Sequence, residues 1–389
     1  MTVFAIQYLE YLPQGATPSA VRQRLHEACL RLPISLVLLG WELPEAIEQE
    51  VADEASRQNL RLFRWQPWLT GDAGTDLPAE WAVRGLDGSY IPGHNNLPEF
   101  AFVCPNRSGV ADFLAERIDS LAARGLYQGI FLDRIRFPSP AADPPTHLGC
   151  FCSSCTRLAA DAGLDLGAIR WELQKMLSTP GGALHLACGL LDPYEPGTQP
   201  LQDLLDFRQQ SITRMIQAAS RQANQQDLVL SLDCFSPTLA RMVGQDLFSL
   251  NTSCEWIKLM IYPRVWGPAG LSFELLSLAE WLIKGYSLNE ADVFTAISHA
   301  SGFTLPSRRA VFRKNGLDST VITQEIQRGR ALGITTLLAG VALVDLPGVH
   351  ESTPAQIQSD LHACQSADGL VLSWDLWHIP LAVLETVPH

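Results

Sequence analysis

Positive charge is scarce in this sequence. Its 389 residues hold 28 Lys and Arg against 41 Asp and Glu, a net charge of −13. Phosphate backbones are bound by Lys and Arg in excess, so no nucleic-acid partner is expected, nor an anionic membrane surface. No apolar run approaches the ~18 residues of a membrane-spanning helix. The opening MTVFAIQYLEYLPQG has no basic start and already carries Glu10. It reads as a first strand rather than a secretory signal, and a cytoplasmic location is expected. No G-x-G-x-x-G or P-loop follows that strand, so nothing favours nucleotide binding. His-x-His and His-Glu-x-x-His are missing, so no catalytic metal is expected; no organic cofactor is expected either. Internal repeats and low-complexity tails are also missing. An acidic protein of this kind remains able to bind a neutral ligand such as a sugar.

What is present is a 47% hydrophobic chain in which short apolar runs alternate with helical patterns. Val3–Tyr8, Ile34–Gly40, Leu60–Trp65, Gly129–Asp133, Leu228–Asp233, Trp256–Tyr262, Thr335–Ala342 and Gly369–Trp374 read as eight strands. Several, such as ISLVLLG and TTLLAGVA, are too apolar to face water on either side, which signals a parallel sheet buried on both faces. Helical periodicity fills the intervals at Ala20–Leu32, Glu45–Gln58, Val110–Arg124, Asp203–Gln222, Leu271–Lys284, Ser319–Leu332 and Pro354–Cys364. Leu381–Val387 fits a final helix, and Val293–Ile297 fits either a helix end or a short extra strand. The pattern predicts an α/β fold, a (β/α)8 TIM barrel forming a single domain over residues 1–389. An open doubly wound sheet is the alternative. Two stretches are too long for connectors, about 66–100 after strand three and 137–201 after strand four, and loops of that length are usually functional.

Catalytic residues of such barrels sit at the C-terminal ends of strands. Strand two is followed by Trp41 and Glu42, strand three ends at Trp65 with Trp68 beyond, and strand four ends in Asp133 followed by Arg134 and Arg136. Asp233 ends strand five and Tyr262 strand six. Strand seven runs on to Asp345, and Trp374, Asp375 and Trp377 close strand eight. Flat aromatic rings stack on the apolar faces of sugars, although Trp is also a frequent core residue. Glycoside hydrolysis generally needs two carboxylates, one an acid and the other a nucleophile or base. Asp133 is the first candidate, because an acidic residue has no packing reason to end the apolar run GIFLD. Asp233 is the second. An arginine beside Asp133 would keep it ionised and suit it to the nucleophile or base, leaving Asp233 as the acid. Trp41, Glu42, Trp65, Arg136, Tyr262, Asp345, Trp374 and Asp375 are the candidate substrate contacts.

Cys150, Cys152 and Cys155 form a C-x-C-x-x-C cluster. Three thiolates in one tight loop suit zinc, which takes four ligands in a tetrahedron. Cys104 is the best candidate for the fourth and His147 the alternative; free thiols are the competing reading. A site filled by four cysteines would be structural, with no open position.

The stretches CPNRSGVADFLAERI, YQGIFLDRIRFP, CFCSSC with LAADAGLDLGAIR behind it, LSLDCFSP, WIKLMIYP and DGLVLSWD, in that order, resemble the glycoside hydrolase-like barrels. They cover most of the chain from about Phe100 onward. The CPN cysteine with the later C-x-C-x-x-C is similar to the zinc cluster of family 42 β-galactosidases, a resemblance that implies Cys104, Cys150, Cys152 and Cys155 as ligands. That family carries an Asn-Glu pair at strand four and a nucleophilic Glu at strand seven. Here Leu132-Asp133 stands at the first place, and Ala342 at the second with Asp345 only further on. Its two-glutamate machinery therefore does not carry over. Barrels with an Asp at strand four and an acid at strand five match better, which pairs Asp133 with Asp233. The resemblance implies a glycoside hydrolase cleaving an oligosaccharide or glycoside. A carbohydrate-binding barrel without chemistry, and another enzyme class on the same face, are the alternatives.

Overall fold

The computed structural model describes residues 3–71, 77–94, 97 and 100–387. Eight strands, β1 (Val3–Tyr8), β2 (Leu36–Leu39), β3 (Arg61–Pro67), β4 (Gly129–Asp133), β5 (Val229–Phe235), β6 (Ile257–Met260), β7 (Leu337–Ala342) and β8 (Gly369–Ser373), close into a barrel in chain order. Every pairing is parallel, and β1 pairs with both β2 and β8, which excludes an open sheet.

The near-continuous hydrophobicity of the strands follows from two cores. Side chains alternate across a strand. One set, including Ile6, Leu39, Ile130, Leu232, Leu259 and Leu372, packs outward against the helices. The other set, including Ala5, Leu38, Phe63, Trp65, Phe131, Leu338 and Val371, fills the barrel interior. Trp256 anchors that interior, its ring stacked 5.3 Å from Phe131 and 6.3 Å from Phe63. Gly129 makes room there, since a Cβ would lie 2.6 Å from the Phe63 ring and 2.6 Å from the Val229 carbonyl. Toward the C-terminal end the interior turns polar, with Gln7, Asp233, Lys258 and Ser373 all buried.

The segment Val293–Ile297 is helical, inside a helix spanning Glu290–Ser301. Asn289 caps it by accepting from Ala291 N and Asp292 N, and Val293, Phe294 and Ile297 bury one face. A spacing of one and four residues is a helical repeat, not a strand repeat. The second long stretch folds as helices Pro144–His147, Ser153–Asp161, Leu166–Leu177 and Pro180–Leu191, leading to a long helix Gln199–Gln225. The first is held by isolated bridges Thr70 to Phe102, Ala82 to Val103 and Arg84 to Tyr90; its residues 72–76, 95–96 and 98–99 lie outside the described residues. Among the described residues, no helix is long and apolar enough to cross a membrane.

Candidate active site

Three non-glycine residues just past strand ends adopt left-handed backbone. Leu9 follows β1, Glu42 follows β2 and Arg134 follows β4, each at φ 55°. Such conformations cost roughly 1–3 kcal/mol each and cluster where a site over-determines the chain. All three lie at the C-terminal mouth of the barrel.

Asp133 occupies the mouth at the end of β4, partly exposed. Its Oδ1 accepts from the Arg134 backbone N–H at 2.6 Å, and its Oδ2 from the indole Nε1 of Trp65 at 3.3 Å. Asp233 stands on the adjacent strand. Leu132 pairs in register with Leu232, so Asp133 and Asp233 are one step further along neighbouring strands about 4.8 Å apart. The two differ in setting. Asp233 is 2% exposed, and its Oδ2 accepts from Lys258 Nζ at 2.9 Å. Burial pushes the Asp233 carboxyl up to about 7, with the Lys258 charge opposing and the Asp133 charge adding to the rise. Lys258 also donates to Gln7 Oε1 at 3.0 Å. β7 gives it room, because a Cβ on Gly340 would lie 2.7 Å from Lys258 Cε.

Glu10 completes the group. It stands two residues past β1 with 28% of its side chain exposed, and its Oε1 lies 3.5 Å from Arg134 Nη2. Burial raises its carboxyl to about 7, against the lowering charge of Arg134; Asp133 and Asp375 push it further up. Arg134 thus touches both mouth carboxylates, Asp133 through its backbone and Glu10 through its guanidinium.

The other residues singled out from sequence fall into several settings. Trp41 and Trp65 are not rim platforms. Both are buried, at 4% and 2% exposure, packed edge to face at 5.3 Å inside the barrel. Strand alternation takes Trp65 there, on the same face of β3 as Phe63, and its indole donates to Asp133; Trp41 lies past the end of β2 and packs onto Trp65. Trp68 is buried as well. Trp374 remains partly exposed, edge-on to Tyr262 at 5.7 Å, and Trp377 is also partly exposed. Tyr262 is buried and donates its hydroxyl to Ser373 Oγ at 3.1 Å. Arg136 is buried, its guanidinium 4.4 Å from the Phe102 ring and 4.7 Å from Phe235. Burial lowers Arg136 to about 10, and Glu274, Asp133 and Asp233 counter that shift. Asp375 is occupied with the backbone: its carboxylate accepts from Leu9 N at 2.9 Å, Glu10 N at 3.2 Å and Trp377 N at 2.9 Å. It braces the turn that carries Glu10. Glu42 and Asp345 are exposed beyond the ends of β2 and β7.

Glu10, Lys258 and Arg134 were not among the sequence candidates. Glu10 had the same signal as Trp41, a polar or aromatic residue just past a strand. Lys258 had one too, a lone charge inside the apolar run WIKLMIY.

Beside the mouth, Cys104, Cys150, Cys152 and Cys155 are all buried, with their sulfurs within 4.8 Å of one another. Cys104 Sγ lies 3.3 Å from Cys155 Sγ and 3.8 Å from Cys152 Sγ. His147 is not part of this group. Four buried soft donors at this spacing can hold a metal ion, and a four-sulfur set leaves no position for substrate.

No family model matches the chain, and no curated protein matches it. Solved structures do. The β-galactosidase of the psychrophilic Marinomonas ef1 superposes over 100% of this chain at TM-score 0.58 and 10% identity; the chain spans 58% of that enzyme. The catalytic domain of the β-amylase from Paenibacillus polymyxa superposes over 100% of the chain and 95% of its own length, at TM-score 0.54 and 12% identity. A family 42 β-galactosidase from G. stearothermophilus matches at 0.53 and 11%, over 97% of this chain and 53% of its own. The chain therefore shares the barrel fold of glycoside hydrolases from several families over nearly its whole length.

Proposed function

We propose that this chain is a glycoside hydrolase whose reaction takes place between Asp133 and Glu10. One observation carries the reading. Two carboxyl groups of unlike setting meet at the C-terminal mouth around one arginine, and one of them, Glu10, is raised to about 7. A raised carboxyl keeps its proton near neutral pH and serves as a general acid. Glu10 donates that proton to the leaving glycosidic oxygen as the C–O bond breaks. Asp133, with both oxygens already accepting hydrogen bonds, attacks the anomeric carbon or takes a proton from the attacking water. Asp233, expected from sequence to be the acid, is sealed against Lys258 and is assigned a supporting role. It sets the electrostatics beneath Asp133. The fold likeness to glycosidases supports a carbohydrate substrate, and the exposed faces of Trp374 and Trp377 are the surfaces for a sugar to stack on.

The four cysteines are assigned to structural zinc. Such an ion ties the loop carrying Cys104 to the insertion carrying Cys150, Cys152 and Cys155, and so fixes two walls of the mouth. No chemical step passes through it.

A non-catalytic sugar-binding barrel is the second reading, favoured by the lack of an inward carboxylate on β7, where Gly340 and Ala342 stand. Turnover separates the two. Wild-type protein assayed on a panel of aryl glycosides and oligosaccharides is expected to release product, with Glu10→Gln slowed by about 10²–10⁴. Binding of oligosaccharides without release supports the second reading.

A further inference from the structure

We propose that Arg208 is the counter-charge of the four-cysteine centre, and that the helix Gln199–Gln225 is thereby a third arm of it. The inference rests on the metal reading above. Four thiolates around a divalent cation leave two negative charges, and all four cysteines are buried. A buried charge needs a partner.

Arg208 has the complementary problem. It is 0% exposed, and its Nη2 donates to the Pro138 carbonyl at 3.0 Å. Its Nε and Nη1 have no hydrogen-bond partner among the described residues. The guanidinium lies 4.9 Å from the Phe137 ring, which supplies no full charge. Burial lowers the Arg208 guanidinium to about 9, the charge of Arg136 adds to that fall, and negative charge at Cys150 opposes it. Gly244 closes over the site; a Cβ there would lie 3.1 Å from both Arg208 Cβ and Phe137 Cδ2. Packing this close leaves the arginine little freedom to swing to solvent.

One turn on from Arg208, the same helix reaches the cysteines through Ser211. Asn106 Nδ2 donates to Ser211 Oγ at 2.9 Å and to Cys155 Sγ at 3.4 Å. The Arg84 backbone N–H donates to Cys150 Sγ at 3.3 Å. These are donors around the sulfurs, the arrangement that stabilises thiolate ligands in metal sites. Arg208 adds the one full positive charge. Because this helix leads into β5, the centre also fixes the strand that carries Asp233.

The test is a Co²⁺ titration of the reduced, metal-free full chain, followed by the sulfur-to-cobalt charge-transfer band, with Zn²⁺ competition for affinity. Wild type is expected to bind one ion with a four-thiolate signature. Arg208→Met is expected to weaken binding about 10–100-fold, the usual cost of losing an outer partner. Arg208→Lys is expected to recover most of it. Should the methionine variant not fold, Arg208→Gln removes the charge on a polar chain and carries the same expectation. Unchanged affinity in a folded neutral variant overturns the role of Arg208 and leaves the metal reading intact. Absence of the thiolate band in wild type overturns both.

Discussion

Lys258 Nζ lies 2.9 Å from Asp233 Oδ2 in the centre of the barrel, at 0% and 2% side-chain exposure. Removing one partner of a buried pair leaves the other uncompensated and costs about 3–5 kcal/mol. Lys258→Met is therefore expected to lower the unfolding free energy by about that amount. The double variant with Asp233→Asn is expected to lose less than the sum of the single losses. Chemical denaturation of the four proteins measures the coupling, and strict additivity would contradict it.

Glu10 gives stability a pH dependence of definite sign. Its carboxyl rises from an ordinary 4.5 to about 7 in the folded chain. Between those values the folded state holds a proton that the unfolded state has released. Stability from this group is thus fully present below 4.5 and is lost as pH rises toward 7. Asp233 adds a loss of the same sign, from 3.8 to about 7. Glu10→Gln is expected to flatten the fall in unfolding free energy between pH 5 and 7 without abolishing it. An unchanged slope counts against the raised carboxyl.

Arg134 lowers the Glu10 carboxyl. Replacing it by Met is expected to move the alkaline limb of the kcat profile upward in pH. A downward shift would mean that another group sets the limb.

Asp375 holds three backbone amides, those of Leu9, Glu10 and Trp377. Asp375→Ala leaves buried donors unpaired, at about 1–3 kcal/mol. Glu10 is then displaced, so kcat is expected to fall more than KM rises. A pure KM effect would assign Asp375 to substrate binding.

The barrel was legible because burial on both faces makes parallel strands read as short apolar runs, and GIFLD and LSLD mark β4 and β5 almost to the residue. The place of Asp133 at the strand end was legible for the complementary reason, a carboxylate closing such a run. Which way a strand residue points is not legible from apolarity alone. Trp41 and Trp65 were open to both rim and interior readings, and the structure puts them inside. Val293–Ile297 was ambiguous because five apolar-rich residues are too few to separate the two periods. The setting of Asp233 depended on Lys258, 25 residues away, and no spacing rule links the two.

The measurement closest to the central claim is kcat/KM on the aryl glycoside best turned over by the wild-type protein, compared between wild type and Asp133→Asn. The circular dichroism of both proteins is matched beforehand. Loss of about 10²-fold or more in a folded variant is the expected result. Equal turnover by the two proteins would contradict the assignment of Asp133, and with it the catalytic reading of this barrel mouth.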